Sequence, residues 1–444
     1  MFIPKPVETI MNRLEEHGFK SWLVGGCVRD ALMGKTPHDY DVATQAKPSQ
    51  VMAIFPHVVP TGIAHGTVLV IEDGFHVEVT TLRTEEGYED HRHPGKVNFV
   101  NDIEEDLARR DFTINAMAYH PEDGLIDPFG GRRDLENKKI RAVGCAALRF
   151  EEDALRMMRA FRFAGRLGFD MEEETRKAID EKSGLLRTVS AERIRDELEK
   201  ILADSPEILD EMSGLLKDWL PQIGQMLECS QNNKHHYTDV LHHTIDALKA
   251  APSKDPEILW ALLLHDTGKP KMKTTDESGD HFKKHPLESA KIARKVVKKF
   301  KLPKKMQRDI ENLVLYHDAF YAPKLSNIYK IRIERGLSDE FLNKLFQVQQ
   351  GDIFAHTTHD RMVPLNEFRQ FYETEKKKRP LSLKDLKING SDLSTLAGLK
   401  GAEIGEGLEK ILKKVFYQPE LNTPEHVKEL AEWAAQDVLK EKMR

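Results

Sequence analysis

The sequence predicts an α+β protein in which a strand-rich N-terminal block is followed by helices for the rest of the chain. Two observations carry this. From Pro4 to about Ala142, helical patterns alternate with the β-rich runs SWLVGG, YDVAT, GTVLVIED and FHVEVTTLR and the segment around INAMAYH. After Phe150 strand signals nearly vanish, and stretches such as EEDALRMMRAFRFAGRLGF and SAERIRDELEKILAD show helical spacing closed by Gly or polar residues. Polar stretches at Cys229 to Asp239 and near Lys376 to Arg379 interrupt the helical part. The expected divisions are 1–145, 146–228, 229–375 and 376–444, in keeping with 444 residues at ~100 to 200 per domain.

Composition narrows the class. Hydrophobic residues make up 40% and charged residues 32%, a globular balance with no run of ~20 apolar residues, so no membrane partner is expected. Glu8, Arg13, Glu15 and Glu16 interrupt the N-terminal segment, which therefore lacks the apolar region of a signal peptide. Cys27, Cys145 and Cys229 are widely spaced and form no CxxC pair, which argues against a disulfide scaffold or thiolate zinc site. A cytoplasmic protein is expected. The net charge of -6 argues against a uniformly basic nucleic-acid coat. Residues 281–310, however, hold nine Lys and two Arg against Glu288 and Asp309, either a solvated helix face or a contact for a phosphate backbone.

The densest chemistry lies in WLVGGCVRDALMGKTPHDYDVAT. An apolar strand ends in Gly25-Gly26, where missing side chains let backbone amides approach a phosphate, and a helix starting near Cys27 points its positive end the same way. Arg29 is expected in its first turn, ready to fork onto phosphate oxygens. Asp39 and Asp41 are one residue apart on an expected strand, so both project from one face at a spacing suited to Mg²⁺. Glu78, on FHVEVTTLR, is expected to meet them across the sheet. Such a carboxylate cluster holds two cations and points to nucleotidyl transfer.

Six motifs occur in order: GGCVRD, DYD, RRDFTINAMAY (Arg109 to Tyr119), DPFGGRRDL (Asp127 to Leu135), EDALR (Glu152 to Arg156) and SAERIRDEL (Ser190 to Leu198). Over about the first 200 residues the sequence resembles the class II tRNA nucleotidyltransferases. The resemblance implies a head of the DNA polymerase β nucleotidyltransferase fold with a mixed sheet, then an all-α neck, body and tail. It further implies that Gly25, Gly26 and Arg29 grip triphosphate, that Asp39 and Asp41 hold magnesium, and that Arg110, Asp111 and Asn115 contact nucleotide and ribose. The implied activity is template-independent addition of CCA, or its terminal A, to the 3′ end of tRNA from CTP and ATP.

EDALR makes a physical prediction of its own. Asp153 and Arg156, three apart on an expected helix, present an acceptor beside a fork of donors. Cytosine and adenine each offer an exocyclic amine next to a bare ring nitrogen, whereas uracil and guanine offer a carbonyl next to an N–H. The wrong bases leave buried polar groups unpaired at ~1 to 3 kcal/mol each. Arg159 and Arg162 continue the stripe, near the phosphates or supporting Asp153. The segment TEEGYEDHRHPGKVNF, between Glu78 and Arg109, reads as a mobile loop. In the family such a segment accompanies addition of the terminal A.

Farther on come DVLHHTIDAL, LWALLLHDTGKP, HFKKHPLESA, LYHDAF and QGDIFAH. The His-Asp pair closing an apolar helix ahead of Gly-Lys-Pro resembles the HD phosphohydrolases. That likeness implies one divalent transition metal on His243, His265, Asp266 and Asp352, with His285 and His317 available for a second. His242 is the alternative to His243. Hydrolysis of 2′,3′-cyclic or terminal phosphates is the implied second activity. The tail, DLKINGSDLSTLAGLKGAEIGEGLEKILKKVF, resembles the family's tRNA-gripping end, with Gly398, Gly401 and Gly405 allowing close approach to phosphate. Two other readings stay open: a poly(A) polymerase of the same family, and an RNA-binding HD phosphohydrolase with an inactive head.

Overall fold

A computed structural model of the chain describes residues 1–63, 66–88, 94–232 and 238–442. The chain divides into two compact units, Met1–Glu228 with Lys298–Lys301, and Cys229–Val297 with Leu302–Arg444.

The first unit begins with α1 (Lys5–Glu16), β1 (Ser21–Val24), α2 (Gly26–Leu32), β2 (Tyr40–Thr44), α3 (Pro48–Ile54), β3 (Val58–Gly62), β4 (Thr67–Glu72) and β5 (Phe75–Thr81). It continues through β6 (Arg83–Tyr88), β7 (Pro94–Phe99), α4 (Ile103–Ala108), β8 (Ala118–His120), β9 (Gly124–Ile126) and α5 (Gly131–Glu136). Seven strands form a mixed sheet in the order β3-β4-β5-β2-β1-β8-β9, in which β2 and β5 run parallel and the other pairs antiparallel. Both faces of its centre are covered. Val7, Ile10, Met11 and Leu14 form one stripe of α1 and pack on Leu23, Val42, Val77 and Val79. Trp22, Val24 and Ala43 face the other way, onto Leu82, Ile103, Leu107 and Val143. Double burial explains why SWLV is buried at all four positions. Each fully buried aliphatic side chain in these layers contributes roughly 1.5–3 kcal/mol.

Two strands of the seven-stranded sheet escaped sequence reading for physical reasons. β3 is a mostly exposed edge strand containing Pro60, and β9 is three residues long. The expected loop at 84–99 is corrected: β6 and β7 pair antiparallel, from Arg83 opposite Phe99 to Tyr88 opposite Pro94. This hairpin has a polar, Gly-containing sequence without apolar alternation, so periodicity could not reveal it. Residues 89–93 of that segment lie outside the described residues.

The remainder of the first unit contains β10 (Lys139–Ile140), α6 (Ala146–Glu152), α7 (Leu155–Leu167), β11 (Asp170–Met171), α8 (Glu173–Lys182), α9 (Ala191–Asp204) and α10 (Gln222–Leu227). α7 packs on α9, and Gly168 closes α7 in the left-handed region at φ 67°.

Among its described residues the second unit is helical apart from one small hairpin. Its elements are α11 (Val240–Lys249), α12 (Pro256–Leu264), α13 (Lys269–Met272), β12 (Thr274–Asp276), β13 (Gly279–His281), α14 (His285–Lys299), α15 (Lys304–Tyr316) and α16 (Leu325–Tyr329). Then follow α17 (Asp339–Phe354), α18 (Met362–Glu375), α19 (Gly390–Ala397), α20 (Ala402–Tyr417) and α21 (Val427–Lys442). Residues Ile258–Leu264 of α12 are buried on every side, because α11, α15 and α17 all pack against this helix. Leu393, Ile411, Val415, Leu430 and Ala434 form a separate core among α19, α20 and α21. Gly398 and Gly401 lie at positive φ between α19 and α20, whereas Gly405 is inside α20. Among the described residues no helix is long and apolar enough to cross a membrane.

Candidate functional site

A cleft of about 590 Å³ opens on the first unit, and every residue assigned above to the nucleotide and magnesium sites lines it. β1 delivers Gly25, at φ 73°, where an added Cβ would come 3.1 Å from Arg110 Nη1. The glycine therefore makes room for a guanidinium as well as for the turn. Strand register does the next step: Asp41 on β2 stands beside Val24 on β1 and Glu78 on β5, and cross-strand partners share a face. Burial, the charge of Glu78 and that of Asp39 push the Asp41 carboxyl up from 3.8 to about 6, against the pull of Arg110.

Two expectations are corrected here. Asp39 is a bend residue just before β2 rather than part of the strand. Nor do Asp39, Asp41 and Glu78 close to within 4.8 Å of one another as a three-donor group: among the described residues such groups occur in the second unit, whereas here Glu78 is the cross-strand neighbour of Asp41 and Asp39 acts on it by charge. Burial, and after it the like charges of Glu78 and Asp39, account for the raised Asp41 carboxyl. The donor set fits a divalent cation, because hard carboxylate oxygens around an unneutralised negative charge are its usual ligands.

Nine arginines and six carboxylates line the cleft, a surplus of three positive charges that suits a polyphosphate. Their pairing is ordered. Arg29 is buried in α2, and instead of standing free for phosphate its Nη1 donates to Asn115 Oδ1 at 2.8 Å and its Nε to Asp30 at 2.8 Å. Asn115 Nδ2 donates to Asp111 Oδ1, and Arg159 forks onto Asp111 Oδ2 from Nε and Nη2 at 2.9 and 2.6 Å. Burial opposes ionisation of Asp111, but Arg159 and Asn115 hold its carboxyl below the usual range. Arg162 pairs with buried Glu197 on α9, and its guanidinium lies 4.3 Å from the centre of the Phe163 ring. Arg29 and Arg159 approach the same ring at 5.4 and 5.5 Å.

The base-reading pair is also arranged differently from the sequence expectation. Asp153 is not helical: at φ -144° and ψ 101° it forms the joint between α6 and α7, and Arg156 lies in the first turn of α7. The joint turns the Asp153 carboxylate toward α9, where Arg193 forks onto it with contacts of 3.0 and 2.8 Å. Arg156 Nη1 donates to Glu152 at 2.6 Å, and its Nη2 to the Arg109 carbonyl at 3.1 Å. Hydrogen-bonded support for Asp153 thus comes from Arg193, while Arg159 interacts with it by charge alone. Arg193, Glu197 and Phe163 were missed as functional candidates; the Arg and Glu inside SAERIRDEL were the available signal. In DPFGGRRDL, Asp127 caps the start of α5 by accepting from Gly131 N and Arg132 N. A Cβ on Gly131 would lie 2.2 Å from the Thr113 carbonyl, so this glycine serves packing.

In the second unit, α11, α12, α14, α15 and α17 each bring an end or a turn to one point. His243, His265 and Asp352 form one cluster, and Asp266, His285 and His317 another. The expected grouping changes, since Asp266 belongs to both: Oδ2 lies 3.2 Å from His265 Nε2 and Oδ1 3.1 Å from His285 Nε2. His243 points into the cluster, while His242 turns to Asp239 at 2.7 Å. Each cluster histidine places Nδ1 against a main-chain carbonyl: Ala355 for His243, Leu262 for His265, Phe282 for His285 and Val314 for His317. A carbonyl only accepts, so Nδ1 carries a proton and Nε2 is the atom each ring turns to the cluster.

The Nε2 atoms face one another, His243 to His265 at 3.4 Å and His285 to His317 at 3.2 Å. Both Asp266 oxygens are buried without a well-aligned hydrogen-bond donor, although Lys269 Nζ lies 2.6 Å from Oδ2. Imidazole Nε2 atoms converging on buried carboxylates suit divalent cations between them, with a cation displacing any proton held there. Burial depresses His265, but Asp266 and Asp352 raise it to about 10, and burial with the neighbouring charge of His265 lowers His317 to about 4. A pocket of about 630 Å³ reaches Asp266, His285, His317 and Asp352 and is rimmed by Lys283, Lys284 and Arg361. His356, stacked on His243 at 5.1 Å, was missed, as was Lys269. In the basic run, Lys291, Arg294 and Lys305 pair with Glu288, Glu311 and Glu340, which favours a solvated face for these three.

The fold and the cleft together define a nucleotidyltransferase head of the polymerase β type, and the second unit carries an HD-type histidine-aspartate cluster. Residues 21–141 match the poly A polymerase head domain, 168–226 the probable RNA and SrmB-binding site of polymerase A, and 236–343 the HD domain. The particular likeness is to CCA-adding enzymes. The chain is 50% identical over 198 residues to the Limosilactobacillus reuteri CCA-adding enzyme (45% of this chain, 49% of the relative). It is 45% identical over 255 residues to that of Lactobacillus delbrueckii subsp. bulgaricus (57% of this chain, 62% of the relative). These matches span about half the length of the curated relatives. In structure, the Bacillus stearothermophilus CCA-adding enzyme in complex with CTP matches with a TM-score of 0.73 at 29% identity, covering 99% of this chain and 100% of that one. The Thermotoga maritima CCA-adding enzyme complexed with tRNA shares the fold, at a TM-score of 0.55 and 24% identity, covering 97% of this chain and 95% of that one. Nucleotidyl transfer of this class is metal-dependent.

Proposed function

We propose that the chain adds CCA to the 3′ end of tRNA from CTP and ATP, without a nucleic-acid template. One observation carries the reading: a registered Asp41–Glu78 carboxylate pair beside the Gly25 turn shares a single arginine-lined cleft with Asp153 and Arg156. Asp39, Asp41 and Glu78 would hold Mg²⁺, which when bound lowers the pKa of the attacking 3′-hydroxyl and neutralises the leaving pyrophosphate. Gly25, Gly26 and Arg110 orient the triphosphate, and the Arg29–Asn115–Asp111–Arg159 chain shapes the ribose end. Asp153 accepts from the exocyclic amine of C or A, and Arg156 donates to the adjacent ring nitrogen. Arg193 and Glu152 hold the two groups in orientation.

The work is divided among the head (1–145), the neck (146–228), an HD-type part (229–375) and a tail (376–444), whose Gly398–Gly401 turn and the Lys413 and Lys414 side chains of α20 grip tRNA. In the HD part, His243, His265, Asp266, Asp352, His285 and His317 would hold divalent transition metals for hydrolysis of a phosphoester. The setting is cytoplasmic. Extension of tRNA lacking CCA with labelled CTP and ATP tests the main reading. Products ending in CCA support it; long A runs point to a poly(A) polymerase, and no extension beside intact phosphoester hydrolysis points to an inactive head.

A further inference from the structure

Outside the groups just assigned, Asp106 on α4 is among the most completely enclosed charges of the head's described residues. Its side chain is 1% exposed. Oδ1 accepts from Arg109 Nε and Nη2 at 3.0 and 2.7 Å and from the main-chain N–H of Arg83 at 3.2 Å, while Oδ2 accepts from Arg110 Nη2 at 3.1 Å. One buried carboxylate thus gathers two consecutive arginines and the first residue of β6. Glu85 closes the far side, pairing with Arg83 at 2.7 Å and Arg109 at 3.3 Å.

The consequence lies at the other end of Arg110. Its guanidinium is tethered through Nη2, while Nη1 stands over Gly25, and the same missing Cβ that admits it would lie 3.7 Å from Asp41 Oδ2. Its Nε is buried and has no partner among the described residues. An arginine on a flexible stem does not hold such a pose unaided, since fixing its rotamers costs up to ~2 kcal/mol. We infer that Asp106 is a positioning residue for nucleotidyl transfer, fixing the Arg110 guanidinium between the Gly25 turn and Asp41, where the triphosphate of CTP or ATP lies. This rests on the proposed function. Because Arg110 faces the phosphate end of the cleft and not Asp153, the effect falls equally on the two nucleotides.

The test is a double-mutant cycle in the full-length protein. Asp106→Asn is expected to lower kcat/KM for CTP and ATP by a common factor of about 100, the usual cost of a misplaced binding group, and Arg110→Ala by a similar factor. If Asp106 acts through Arg110, the double variant is no worse than Arg110→Ala alone. Losses that multiply, or a loss confined to one nucleotide, overturn the inference. Arg110→Lys leaves Asp106 and the β6 tether in place and must show the same loss; wild-type kcat/KM in that variant overturns the inference even if Asp106→Asn fails to fold. Calorimetric titration with ATP separates the two readings. Weaker ATP binding in Asp106→Asn beside a wild type that extends no tRNA rejects CCA addition but keeps the positioning role. Unchanged ATP affinity and unchanged kcat/KM reject the positioning role itself.

Discussion

Replacing Asp41 by Asn should stabilise the head while abolishing nucleotide addition. Burial and the charges of Glu78 and Asp39 lift the Asp41 carboxyl from 3.8 to about 6, so the folded chain takes up a proton between those values that the unfolded chain does not. With the folded-state pKa above the unfolded one, the group's contribution to stability is fully present below pH ~3.8 and is lost as pH rises through ~6. About two units at ~1.36 kcal/mol each give roughly 3 kcal/mol; Asp41 keeps some solvent exposure, so about 1–3 kcal/mol is expected. Asn lacks this titration. Hydrogen exchange in peptides covering β1 and β2 should therefore slow by about 5- to 100-fold in the variant at pH 7.5 with chelator present. The gain should vanish near pH 4, and Mg²⁺ should narrow it at pH 7.5 by stabilising only the wild type. A variant no more protected than wild type at pH 7.5, or one whose gain persists unchanged at pH 4, would refute the reasoning that ties site charge to strain.

The remaining predictions are briefer. In the second unit, Mn²⁺ or Co²⁺ at about 100 times its Kd should contribute about 2.7 kcal/mol, raising the unit's thermal midpoint by roughly 5–11 °C. His265→Ala should remove that rise, and elemental analysis finding no metal in a wild type with an unmoved midpoint would sink the metal assignment. Glu197→Gln leaves the Arg162 guanidinium buried without its partner and should cost about 3–5 kcal/mol in urea unfolding of the first unit; a loss under about 1 kcal/mol would show the pair to be incidental. Arg193→Ala frees the Asp153 carboxylate and should reduce the preference for CTP over UTP by about tenfold in competition assays. Lower activity with unchanged preference would restrict Arg193 to a packing role.

Much of the head was legible because its signals are local. Glycine pairs, carboxylates two apart and period-two apolar runs declare a strand, a turn and a strand without reference to anything distant, and the histidine-aspartate dipeptide closes a helix whose apolar sequence shows it to be buried. The β6–β7 hairpin was not legible, since a charged, glycine-containing segment carries no alternation and its pairing is fixed by register and by the Arg83–Glu85–Arg109–Asp106 ion network. Asp153 was misplaced for a related reason. Its spacing from Arg156 suits a helix, but its backbone is extended and Arg193, forty residues on, forks onto its carboxylate.

The sequence by itself determined which chemistry is present: hard carboxylates for a cation, arginines for phosphate, an acceptor beside a donor for bases, and imidazoles near aspartates for metals. Tertiary structure alone decided how those groups are held. Register set Glu78 beside Asp41, the α6–α7 joint turned Asp153 toward Arg193, and five helices brought two clusters together through the shared carboxylate of Asp266. Residue type fixes what an atom is able to accept or donate, but partners, burial and charge balance depend on segments far apart in the chain, and these tune the strength of each interaction.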